Sequence, residues 1–237
     1  MTRSKAGRLV SGMSVVGFAA LLPASGRAQG AAASYPNMAP IEQYRMASSA
    51  EVALARSAAP DSISGNAEVL VLGATGYEST AKGKNGFVCM VQRSWANDFG
   101  DPGFWNPKLR GPICFNPAAA RSVLPLYLTR TQWVLSGLSE TTMEERSRAV
   151  TGATGITPEA GAMSYMLSKA GYLGDEVGGP WHPHLMFFLP RTPSAAWGAN
   201  VEHSPVFIND VAGSPYTTFF VTVARWSDGA QDSTSRN

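Results

Sequence analysis

Apolar and polar positions alternate in short bursts along this chain, and the bursts predict strands more often than helices. Glu68–Leu72 (EVLVL) is followed by a turn at residues 73–76 and a second extended stretch, Tyr77–Ala81. Residues 83–86 (GKNG) read as a hairpin turn, because Asn and Gly tolerate positive φ. Residues 87–93 (FVCMVQR) then read as the return strand. Residues 67–94 are therefore expected to form a three-stranded antiparallel meander. Further strands are expected at residues 163–167 (MSYML), 184–189 (HLMFFL), 206–208 and 217–223 (TTFFVTV). HLMFFL and residues 206–208 are apolar on both faces, so they are expected inside a sheet covered on both sides.

Helical spacing is found in three places. Pro40 suits the first turn of a helix running to Ala58, with Ile41, Tyr44 and Val52 on its apolar side and Pro60 ending it. Asn116 and Pro117 are a cap and a first helical residue for a helix to Ser136. Its buried stripe is Val123, Leu124, Tyr127, Leu128, Thr131 and Leu135, and Pro125 is expected to kink it. Ser139 caps a third helix through about Val150. Residues 95–113 and 151–161 lack periodicity and read as loops. The order helix, three strands, two helices, four strands predicts an α+β fold: one domain over 38–226, with a mainly antiparallel sheet and two to three packed helices. Residues 29–37 read as a flexible lead-in and 227–237 as a polar, disordered tail.

The first 28 residues have a different character. Arg3, Lys5 and Arg8 precede an apolar run from Leu9 to Ala24, and Gly26 and Ala28 have the spacing of a signal-peptidase site. This is the layout of a cleavable signal peptide, and it predicts a periplasmic or secreted protein. Removal changes the charge. Four of the 19 basic residues leave with the leader, so 15 basic residues face 17 acidic ones. A net charge that low, without a basic cluster, argues against a nucleic-acid partner. No later apolar run approaches the roughly 20 residues of a spanning helix, so no membrane span is expected in the mature form. In an oxidising compartment Cys89 and Cys114 are expected to form a disulfide. Closing a loop of about 25 residues would stabilise the fold by roughly 3 kcal/mol.

Candidate chemistry centres on Trp181-His182-Pro183-His184. Residues two apart on a strand share a face, so the rings of His182 and His184 are expected on one side, with Met186 continuing that face into an apolar cleft. Trp181, His182, His184 and Met186 are the expected ligand-binding set. The same pair has the spacing of a zinc or copper site, with Asp175 as the leading third ligand and Glu176, Glu202 and His203 as others. A metal-free reading makes His182 or His184 a general base, oriented by Glu159, Asp175 or Glu176. Ordinary polar residues at a strand entrance would have the same spacing. Ser164 and Ser168 lack the motifs of a catalytic serine. Trp95, Phe99, Phe104 and Trp105 would suit either a stacking platform or a plug that seats the long loop.

Three stretches, residues 68–95 (EVLVLGATGYESTAKGKNGFVCMVQRSW), 104–125 (FWNPKLRGPICFNPAAARSVLP) and 171–190 (GYLGDEVGGPWHPHLMFFLP), resemble a group of uncharacterised exported bacterial proteins. The resemblance covers most of residues 50–228 and implies a bacterial, exported, single-domain protein. It carries no activity and no functional residue. Three functions follow from the residues: a small-ligand binder with a cleft beside His182 and His184, a metal-dependent hydrolase using the same pair, and a structural module of the cell envelope.

Overall fold

A computed structural model describes residues 35–154, 157–174, 182–208 and 214–233. Residues 1–34, which hold the expected leader and most of the expected lead-in, lie outside the described residues. The fold is α+β. Among the described residues the eight strands are β1 (Glu68–Leu72), β2 (Tyr77–Ala81), β3 (Val88–Gln92), β4 (Gly111–Phe115), β5 (Met163–Met166), β6 (His184–Leu189), β7 (Val206–Ile208) and β8 (Thr217–Thr222). They form one sheet in the order β2-β1-β3-β4-β5-β6-β8-β7, antiparallel except where β3 runs parallel to β1. The helices are α1 (Ser48–Arg56), α2 (Asp61–Ser64), α3 (Pro117–Ser122), α4 (Leu124–Leu135) and α5 (Glu140–Thr154). Among the described residues no helix is long and apolar enough to cross a membrane.

The first three strands differ from the expected meander. β2 pairs with β1 on one side, and β3 returns on the other side of β1. Burial explains the choice. The middle of β2 is polar and exposed, which suits an edge, whereas β3 is buried through Cys89, Met90 and Val91. Residues 83–86 therefore pass beneath the start of β1 instead of turning a hairpin. The Lys84 amide donates to the Asn66 carbonyl at 2.8 Å, and the Glu68 amide donates to Phe87 at 2.9 Å. Gly83 permits this approach, since a Cβ there would lie 2.3 Å from the Glu68 nitrogen.

β4 (Gly111–Phe115) is a central strand that begins within the loop expected over 95–113. Its Pro112 is tolerated because β5 pairs only with Cys114 and Phe115, which leaves Pro112 a locally open side. Two helices replace the single kinked one expected from 116 to 136. The Asn116 side chain accepts from the Ala119 amide at 2.9 Å and caps α3, and Pro125 sits in the first turn of α4. Residues 41–43 form a 3-10 turn rather than joining α1. Tyr44 fixes that segment: fully buried, its hydroxyl donates to the Trp105 carbonyl at 2.8 Å.

Strand alternation divides the core. Val69, Val71, Cys89, Val91 and Cys114 pack beneath α1 with Ala55. Cys89 and Cys114 are register partners in β3 and β4 and are joined by a disulfide of 2.00 Å. On the opposite face, Met90, Ile113, Phe115, Met186 and Phe188 pack with Leu124 and Leu126 of α4. The long loop adds a third cluster, in which Trp95, Phe104 and Trp105 meet Tyr44, Leu72 and Met143. A buried ion pair fastens α1 to the end of β3: Arg93 Nη2 lies 2.8 Å from Glu51 Oε1, and both side chains are fully buried.

Residues 227–233, expected to belong to a disordered tail, instead close a turn. Arg225 and Gln231 form a β-bridge, and the Asp232 amide donates to the Ala224 carbonyl at 2.9 Å. The turn lies against the sheet because Ser227 donates its amide to the Leu167 carbonyl.

Candidate functional site

The face of the sheet that packs against α4 is only partly roofed. α4 lies against the core formed by β3 to β6, and where β6 and β8 extend past it the floor opens into a cleft of about 540 Å³. Three elements build its walls. β6 and the residues before it supply His182, His184 and Met186, β8 supplies Phe220, and α4 supplies Tyr127 and Arg130. Asp98 and Asp101 line it from the loop, and Tyr216 lies just before β8.

His182, His184 and Met186 all line this one cleft. The ladder explains how the pleat reaches His182. His184 pairs with Thr222, and the Val223 amide donates to the Pro183 carbonyl at 3.0 Å, so pairing with β8 continues one step before β6. His184 is buried, and its ring lies 5.7 Å from that of Phe220. Its Nδ1 is 2.9 Å from the His182 carbonyl. A carbonyl only accepts, so Nδ1 carries the proton in the neutral ring and Nε2 carries the lone pair. Burial pushes the His184 pKa below the ordinary imidazole value; the bond to the His182 carbonyl opposes this in part, and the charge of His182 adds to the lowering.

His182 is held differently. Its Nδ1 lies 2.7 Å from Oδ2 of Asp232. A carboxylate in that position accepts from Nδ1–H, and so fixes the tautomer and the plane of the ring. The sequence pattern gave no sign of Asp232, because its segment looks like solvated tail.

The remaining candidates lie elsewhere. Glu159 is outside the cleft and binds Arg121, with 2.6 Å between Oε2 and Nη2, so it does not orient either imidazole. Burial plays little part there: the hydrogen bond from Arg121 holds the Glu159 pKa down. Glu202 and His203 pair with each other at 3.3 Å and are about nine-tenths exposed. Asp175, Glu176 and Trp181 lie outside the described residues. Among the described residues no group of three or more His, Cys, Asp or Glu side chains is arranged to hold a metal ion, so His182 and His184 have no described third ligand for zinc or copper. Ser164 is fully buried, and the Ser168 hydroxyl is 2.7 Å from that of Ser57, which fits a structural role. Trp95, Phe104 and Trp105 are buried plugs rather than a platform.

Two further pairs shape the cleft. Tyr127 and Tyr216 both line the cleft, and burial pushes the Tyr127 pKa up to about 12 and that of Tyr216 well above its ordinary value. Both phenols therefore keep their protons at neutral pH. Arg130 stacks over the Phe99 ring, 4.3 Å from its centroid. The assembly offers apolar area with a few fixed polar groups, which is the make-up of a small-molecule site. Comparison with protein-family models, curated proteins and solved structures gives no match.

Proposed function

We propose that this is an exported protein that binds a small organic ligand in the cleft beside His182 and His184. The observation that carries the reading is their convergence. Two imidazoles and Met186 line one cleft of about 540 Å³, and Asp232 pins the ring of His182 there. Volumes of roughly 300–1,000 Å³ are typical of small-molecule pockets. Export is supported by the charged-then-apolar start of the chain, by the resemblance to exported bacterial proteins, and by the Cys89–Cys114 disulfide.

The test is a library of small organic molecules titrated into protein labelled with ¹⁵N-histidine. Ligands are expected to move the signals of His182 and His184 together, and Met186→Trp, which fills the cleft, is expected to abolish the shifts. A library that leaves both signals still, or shifts that persist in the filled variant, would overturn the reading. Equilibrium dialysis against zinc and copper separates it from the metal-dependent alternative.

A further inference from the structure

We propose that the ligand is an amphipathic carboxylate whose acid group sits at Arg130 and whose apolar body lies over Met186 and Phe220. The inference deepens the binding reading and rests on it.

Arg130 is a cation of the cleft wall. Among the described residues no carboxylate lies within ion-pair distance of its guanidinium. Nη1 donates to three backbone carbonyls, those of Trp95 at 3.3 Å, Ala96 at 3.4 Å and Asn97 at 2.9 Å. Nε is buried with no hydrogen-bond partner among the described residues, and Nη2 donates to none of them. Carbonyl dipoles compensate a desolvated cation only in part, and buried charges are normally met by opposite charge.

The three carbonyls and the Phe99 ring also fix the guanidinium plane. A donor fork held in advance loses little entropy on binding a carboxylate, and such charge-assisted pairs are the stronger class of hydrogen bond. Tyr127 and Tyr216, protonated at neutral pH, add phenolic hydroxyls to the same wall. The lining beyond this polar end includes Leu126, Met166, Met186 and Phe220, and suits an apolar body.

Two acids stand against an anion here. Asp101 is occupied: Oδ1 accepts from the Gly103 amide at 2.6 Å, and Oδ2 accepts from the Asn97 side chain at 3.3 Å. Asp98 lines the cleft and senses the charge of Arg130. Burial favours its neutral form, the more so once a second carboxylate arrives. Asp98 is therefore the competitor that a bound acid must displace electrostatically, and its removal should tighten binding.

Calorimetric titration of 2-naphthoate and its neutral counterpart 2-naphthamide into the full mature chain tests this. The acid is expected to bind about tenfold tighter than the amide at neutral pH and low salt, the scale of one charge-assisted pair. Arg130→Gln is expected to remove that preference, and Asp98→Asn to enlarge it. Equal binding of acid and amide by the wild-type protein overturns the carboxylate inference and leaves the cleft a binding site. Absence of acid binding overturns it too, and the histidine-detected library then decides separately on the cleft. The wild-type ratio needs no variant, so an Arg130→Gln protein that failed to fold would leave the proposal decidable.

Discussion

His182 and Asp232 are 50 residues apart in the chain and 2.7 Å apart in the fold, and they differ sharply in exposure. The imidazole is 40 % exposed and the carboxylate 2 %. A carboxylate is not buried without compensation. Here the turn over 224–232 carries it inward and the ring meets it, so the carboxylate orients a side chain that reaches the cleft. The closing segment of the chain thereby becomes part of the site.

Asp232 is expected to set the tautomer of His182. At a pH where the ring is neutral, ¹⁵N shifts of His182 should report a proton on Nδ1 and a lone pair on Nε2. Asp232→Asn should give a mixture of tautomers, because an amide can donate as well as accept. Loss of the buried charge-assisted bond should also cost about 1.5–3 kcal/mol in urea unfolding. A wild-type ring protonated on Nε2 would contradict the arrangement.

His184 makes stability depend on pH in a defined direction. Burial depresses its pKa in the folded protein, whereas the unfolded ring keeps an ordinary value of about 6.5. Between those two values the unfolded chain binds more protons, so stability rises with pH there. It is lost on acidification from about 6.5 down through the folded pKa, and above that window His184 has no effect. Unfolding free energies measured across the window should fall more steeply with acid in the wild type than in His184→Phe. Parallel profiles would refute this.

The disulfide should behave as a structural bond. Both cysteines are fully buried between β3, β4 and α1. Dithiothreitol should therefore leave it intact in the native protein and reduce it only when denaturant opens the fold. Replacing both cysteines with alanine should cost about 3 kcal/mol, the loop-closure value for a bridge of this span. Free thiol titrating in the native state would show that the α1 face opens locally.

Local patterns revealed the strands well and their neighbours poorly. β6 and β7 have the expected bounds, because apolar runs between turn residues show directly in sequence. They lack the expected cover on both faces: β6 alternates buried and half-buried positions, and β7 is an edge strand with Phe207 exposed. Asn85-Gly86 has hairpin chemistry and predicts β3 beside β2, while the burial demand that puts β3 inside the sheet beside β1 and β4 is a property of the whole fold. β4 was hidden by Pro112, which looks disqualifying until the short pairing with β5 is known. The site divides in the same way. His182 and His184 share a face through the two-residue period of a strand. Asp232, Arg130 and Asp98 come from a terminal turn, a helix and a loop, and no spacing rule links them to His182.

The buried pair of Glu51 and Arg93 should be among the most sensitive positions in the core. Arg93 Nε donates to the Tyr44 carbonyl at 2.7 Å, Nη1 donates to Val91, and Glu51 Oε1 accepts from the Leu72 amide at 3.1 Å. The pair thus ties α1, β1, β3 and the Tyr44 segment at one point. Removing one partner leaves a desolvated charge, which costs about 3–5 kcal/mol. Glu51→Gln and Arg93→Met should each approach that loss in urea unfolding. The double variant buries no charge and should lose clearly less than the two singles together, since contacting residues do not contribute independently. Additive losses would mean that the ion pair contributes nothing beyond packing, and that the tie between α1 and β3 rests on the apolar contacts of Ala55 with Val69 and Val91.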